Sequence, residues 1–222
     1  MKIFAKTIAA AALAGVATLA APASAQVNGI AISSPEAVFL RSAARQAAYQ
    51  QIAQTYAAQI QQIQTLRQES AQLQQTLDSN SDGQLSEVEL QAGQATVTQI
   101  QQKEQQVGQI GRPIFLAQAY VLEQLLRDYN NAQNEVVQAK RIQMMIQPDV
   151  VQYAPDNANV TSDIVAALDR RMPSVQAQPP AGWNPSRESL ALQQTVQQIL
   201  VGVAQQQAIQ QAQGQTQQPS GR

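Results

Sequence analysis

Asp78, Asn80 and Asp82 alternate along the chain and are followed by Gly83, Gln84, Leu85, Ser86 and Glu89. This is the order of ligands in a twelve-residue calcium loop. Asp78, Asn80 and Asp82 take positions one, three and five, and Gly83 allows the sharp turn at six. Gln84 offers a backbone carbonyl at seven, Leu85 is the apolar eighth residue, Ser86 fits nine, and Glu89 supplies the bidentate carboxylate at twelve. Calcium takes about six to eight oxygens, and this spacing wraps them around one point. The competing reading is a polar hairpin tip, because Asp, Asn, Ser and Gly dominate turns for conformational reasons alone. Only one such loop is present, whereas these loops work best in pairs. An affinity near ~10⁻⁴ to 10⁻³ M is therefore expected, as in extracellular modules. Its role would be to stiffen the tip.

Other reactive chemistry is scarce. The 222 residues contain no Cys and no His, which removes thiol nucleophiles, imidazole bases, disulfides and the usual zinc ligand sets. Glu87 and Glu89 are an acidic pair, but no pocket around them is suggested, so no catalytic residue is assigned. Tyr49, Tyr56 and Tyr120 lie beside an apolar helical stripe and are candidate client-contacting residues. Their alternative role is packing in the seam. Trp183, inside a Pro-rich stretch, is either an anchor for the tail or an exposed linker aromatic.

The elements that position these residues are helical. Aromatics make up 4% and charged residues 13% of a chain rich in Gln and Ala, which suits long exposed helices better than a large compact core. Residues 34–140 read as nearly continuous helix broken once, at 78–89. Ser33 or Ser34 caps its start, with Pro35 in the first turn and Glu36 as a capping-box partner. From Tyr49 the apolar set Ile52, Tyr56, Ile60, Ile63, Leu66, Leu73 and Leu77 forms one narrow stripe, the spacing of a coiled-coil seam. A helix of ~40 residues is about 60 Å long and must project from any domain of this size. The return leg runs to residue 140, with a kink expected near Gly111 because Pro113 lacks a backbone donor. The economical arrangement is two antiparallel helices joined at 78–89.

At the base, residues 27–32 read as a strand, and 142–146 and 150–153 as two more around a Gln-Pro-Asp turn. Thr161, Ser162 or Asp163 caps a short helix at 164–171. Residues 173–186 form a Pro-rich linker. The Gln-rich tail, 187–222, holds a helix over 188–211 that packs on the body as a satellite, sits between subunits or touches clients, and then fades into disorder. So few strands cannot form a stable sheet alone, and association through them would complete a core.

The first residues carry an export signal. Lys2 and Lys6 precede an apolar run at 7–19, and Ala23, Ser24 and Ala25 fit a cleavage site that leaves Gln26 as the new N-terminus. Removal of 1–25 changes the formal net charge from −1 to −3, with 12 basic against 15 acidic side chains. That balance argues against nucleic acid as a partner, since phosphate binding needs a basic surface. No later segment reads as a membrane span.

Two stretches carry a family resemblance: Gly29-Ile-Ala-Ile-Ser33 leading into the long helix, and residues 144–172. The second contains Asp149-Val-Val-Gln-Tyr-Ala154 and Asn159-Val-Thr-Ser-Asp-Ile-Val-Ala-Ala-Leu168. Together they resemble the Skp/OmpH family of periplasmic chaperones over roughly residues 30–171. The resemblance implies a mainly α fold with a small β body: a long antiparallel helical hairpin, or coiled-coil arm (41–140), on a short-strand base (26–40 and 141–172) that completes a β-barrel by trimerisation. It also implies an ATP-independent holdase in the periplasm that encloses unfolded outer-membrane β-barrel proteins, with no catalytic residues and no nucleotide. The longer C-terminal tail, the acidic balance and the calcium-loop pattern at the tip depart from the family.

Overall fold

The computed structural model describes residues 29–216, with side chains through residue 211. The export signal at 1–25 and the end of the tail lie outside the described residues. Strand β1 (Ile30–Ile32) leads into α1 (Pro35–Arg41). The Ala37 amide donates to the Ser34 hydroxyl at 3.1 Å, and Pro35, which has no amide to satisfy, occupies the first turn. Ser34 therefore caps, and its hydroxyl also donates to Glu36 at 3.1 Å.

The outgoing leg is jointed where continuous helix was expected. Ser42 ends α1 and caps α2 (Ala43–Thr55); Tyr56 separates α2 from α3 (Ala57–Leu77). The joint at Ser42 has a local cause, because its hydroxyl receives the Arg45 amide and offers the backbone an alternative to helix. The return leg is α4 (Glu87–Ala92), a joint at Gly93, and α5 (Gln94–Lys140). A Cβ at Gly93 would collide with the Leu77 side chain, so glycine lets the two legs approach just behind the tip. α5 continues as one helix through Gly108, Gly111 and Pro113. Pro113 removes one hydrogen bond from a helix of 47 residues, and the turns on either side hold the register. α5 closes at Arg141, whose φ of 54° is left-handed, with the Ile142 amide donating to the Val137 carbonyl at 2.9 Å.

Strand β2 (Met144–Ile146) returns parallel to β1, pairing Ile30 with Met144 and Ile32 with Ile146. A parallel pair needs a long crossover, and here the whole arm is that crossover. The strand expected at 150–153 is absent. Pro148–Val150 is a turn of 3₁₀-helix, and Val150 and Tyr153 are 73% and 86% exposed. β1 instead takes its second neighbour from Asn159 and Val160, the Val160 amide donating to the Ile32 carbonyl at 2.9 Å. α6 (Thr161–Arg171) begins at Thr161 with no side-chain cap from Thr161, Ser162 or Asp163; the Thr161 amide donates to Asn159 Oδ1 at 3.0 Å. α7 (Arg187–Thr216) follows an irregular segment and is longer than the expected 188–211.

The core is helical, not sheet-based. Val38, Phe39, Ala48 and Ile52 meet Val121, Leu122, Leu125 and Tyr129 of α5, and Ile164, Ala167 and Leu168 of α6 close it. Phe39 and Tyr129 rings stack with centroids 5.1 Å apart. Arg171 grips Asp128 with two bonds, at 2.6 and 2.9 Å, fixing α6 to α5. The single chain thus has an apolar core of its own, more than the strand count implied. Farther out, α3 and α5 bury only Leu66, Ser70 and Leu77 from the outgoing leg, and the arm is thin and polar. Among the described residues no helix is long and apolar enough to cross a membrane.

Candidate functional site

The tip brings Asp78, Asn80, Asp82, Gln84, Ser86 and Glu89 into one loop. Ser81 and Gly83 turn the chain with φ of 58° and 78°. Asp78 accepts from the Asp82 amide at 3.1 Å and the Gly83 amide at 2.9 Å. Asn80 accepts from the Asp82 amide at 3.0 Å and donates to Asp82 Oδ2 at 2.9 Å, while Asp82 Oδ1 accepts from the Gln84 amide at 2.7 Å. Glu89, 8% exposed, is the hub. Its Oε1 accepts from the Ser79 amide at 2.9 Å and the Ser79 hydroxyl at 2.8 Å; its Oε2 accepts from the Ser86 amide at 2.9 Å and the Ser86 hydroxyl at 2.7 Å. Ser86 is the N-cap of α4: its amide donates to Glu89 Oε2 and the Glu89 amide donates to its hydroxyl oxygen at 3.3 Å, which together form a capping box. The Ser86 donors, then Ser79, lower the Glu89 carboxyl to about 2. In this arrangement the loop oxygens are satisfied by the loop's own donors, and among the described residues no three carboxylates converge on a point. A cation would have to displace Ser79 and Ser86 from Glu89. Leu85, Val88 and Leu90 stand exposed beside the loop.

The three tyrosines lie at the root of the arm, and two of them are covered. Tyr49 donates to Gln193 of α7 at 3.1 Å and carries the Arg45 guanidinium over its ring at 4.7 Å; burial pushes its phenol up to about 12. Tyr120, 8% exposed, donates to Gln176 at 3.4 Å and meets Trp183 edge-on with centroids 5.0 Å apart. Tyr56 is partly buried against the core. Trp183 is an anchor, because its Nε1 also donates to Glu123 at 3.3 Å.

Glu123 was not singled out from the sequence. It sits on α5 between Leu122 and Leu125, two fully buried residues, and gathers the C-terminal segment. Arg127 donates to it at 2.7 Å, the Ser186 amide at 3.1 Å and the Ser189 hydroxyl at 3.0 Å. Burial alone would raise the Glu123 carboxyl, but the Ser186 amide, Arg127, Ser189 and Trp183 together hold it below its ordinary value. The signal that could have found it is a lone carboxylate in the most apolar part of a helix, which must be paired if buried. Beside it lies an open recess of about 510 Å³, lined in part by Phe39, Leu126 and Tyr129.

A family model for OmpH-like outer membrane proteins matches residues 29–168. No curated protein matches the chain. Among solved structures, that of an OmpH-like protein of Caulobacter crescentus is 21% identical; the match covers 70% of this chain and 93% of that one, with a TM-score of 0.40. The family match runs from β1 through the whole arm and into α6, and leaves the segment around Trp183 and α7 outside it. On that match, which spans more than half of its length, the chain belongs to the OmpH-like outer membrane protein family.

Proposed function

We propose that the protein is an ATP-independent holdase of the periplasm that binds unfolded outer-membrane β-barrel proteins and prevents their aggregation before insertion. Membership of the OmpH-like family supports a chaperone role. The observation that carries the finer reading is the arm, a thin antiparallel hairpin whose return helix alone has 47 residues, or about 70 Å. Arms of that reach, joined at a common base, would surround a guest between them. Export to the periplasm rests on the signal pattern at 1–25, and the absence of an enzymatic role rests on the residue inventory.

Assembly as a homotrimer belongs to the same proposal. Ile30, Met144, Val150 and Tyr153 are all more than half exposed at the base, where further strands would extend the two-stranded sheet. The test dilutes a urea-unfolded outer-membrane barrel protein into buffer without nucleotide, with and without the mature chain. Suppressed light scattering is expected, and undiminished aggregation at molar excess overturns the proposal.

Calcium binding at the tip is a second, compatible reading. It is favoured by the oxygen-bearing side chains at alternate positions around the left-handed Gly83. Asp78, Asn80, Asp82, Ser86 and Glu89, with the Gln84 carbonyl, would hold the ion and stiffen the tip. Calorimetry with calcium on the wild type and on the Asp78→Ala, Glu89→Ala double variant decides it. Equal absence of heat in both ends the reading.

A further inference from the structure

The segment between α6 and α7 lies along one stripe of α5 and is bound there much as a foreign peptide would be. Tyr120, Glu123, Gln124 and Arg127 are spaced three, four and seven residues apart, so they share a face of the helix. Gln124 pairs with the main chain of Gln176 in both directions: its Nε2 donates to the Gln176 carbonyl at 2.9 Å, and its Oε1 accepts the Gln176 amide at 2.9 Å. This is the hydrogen-bond pattern of a strand partner, and it reads backbone without regard to side chain. Seven residues on, Trp183 lies edge-on to Tyr120 and donates to Glu123, which also takes the Ser186 amide. The occupant has no helix or strand between α6 and α7; it carries Pro179, Pro180 and Pro185 and turns once, the Trp183 amide donating to the Pro180 carbonyl at 3.1 Å with Gly182 at a φ of 75°. Ordinary tail packing needs apolar contact only. Here the main chain is held at three groups, the Gln176 amide and carbonyl and the Ser186 amide, beside side-chain bonds of Gln176, Trp183 and Ser189.

We infer that this face of α5 is a chain-reading site for irregular, aromatic-bearing polypeptide, filled in cis by residues 173–189 until an unfolded client displaces them. The inference deepens the chaperone reading and rests on it for the identity of the displacing partner. Unfolded outer-membrane barrel chains suit the site, because their strands carry aromatic girdles at both membrane interfaces. The tether holds the occupant at an effective concentration in the millimolar range, so competitors act only when they are multivalent or when the tether is weakened.

The test has two arms on the full mature chain. In the first, a dye-labelled synthetic peptide of residues 173–190 is titrated by anisotropy into wild type, Trp183→Ala, and Trp183→Ala with Gln124→Ala. Loosening the tethered occupant is expected to tighten peptide binding about tenfold, and the added Gln124→Ala to reverse most of that gain. Equal affinity in all three proteins, or no binding in any, overturns the inference. In the second arm, a labelled, tryptophan-free, permanently unfolded polypeptide is added to wild type while emission from Trp183, the single tryptophan of the chain, is followed. Binding with a red shift supports displacement. Binding with unchanged emission overturns the inference and leaves the chaperone reading standing. No client binding alongside a positive peptide arm removes the chaperone reading and leaves the chain-reading face.

Discussion

Glu89 and Glu123 each close a piece of chain by accepting several hydrogen bonds, and both consequences can be measured. The folded value of Glu89, about 2, lies below the ordinary 4.5, so its bonds contribute fully above about pH 4.5 and are lost as the pH falls through the folded value. A carboxyl titration by NMR should place its midpoint near 2, and the Ser79 and Ser86 amides should keep their exchange protection at pH 4. A midpoint near 4.5 would mean that the loop opens in solution. Glu123→Gln removes the charge that takes the Ser186 amide, Ser189 and Trp183. Docking of the segment should weaken by about 1.5–3 kcal/mol, the range for bonds to a charged group, with Trp183 emission shifting red. The two residues were not equally legible. Glu89 could be read because its partners lie within ten residues. The partners of Glu123 from the C-terminal segment are 60 to 66 residues downstream, and no periodicity connects them.

Among the elements, α5 dominates, and its two halves differ in what holds them. Near the root Leu122 and Leu125 are fully buried, so Leu122→Ala should cost about 2–5 kcal/mol in chemical denaturation. Farther out Pro113 is exposed inside the helix and contributes no amide. Pro113→Ala should therefore stabilise the arm, by up to about 3 kcal/mol, and slow amide exchange in the flanking turns. No gain would mean that the helix is already open at that point. The same contrast explains what the stripe of Ile52, Ile60, Ile63, Leu66 and Leu77 revealed. Helix existence and the antiparallel return follow from spacing. The joints at Ser42 and Gly93 follow from one hydroxyl and one close approach, which spacing does not record. The expected strand at 150–153 failed for a related reason. Its Val and Tyr suit a sheet, but Pro148 starts a 3₁₀ turn and no strand among the described residues receives the segment.

At the scale of the molecule, the apolar residues fall into two sets that play different parts. The helical core around Phe39, Leu122 and Leu168 is closed within one chain, whereas Ile30, Met144, Val150 and Tyr153 stay in water at the base. β1 lies between β2 and the Asn159 segment, so the outer edge of β2 is the open one, and an open edge flanked by exposed apolar side chains is a template for pairing. On the proposed trimer, light scattering on the processed chain should give three times the single-chain mass. Met144→Asp should shift it towards the monomer by placing a carboxylate in the shared face. Because Met144 is 57% exposed and the helical core is separate from it, the variant should keep its helical circular dichroism. It should nonetheless lose suppression of aggregation, since a single arm cannot surround a guest. A wild-type chain that is monomeric at working concentration, or a monomeric Met144→Asp that suppresses aggregation as well as wild type, would detach the proposed activity from assembly and leave the arm and its root as the whole device.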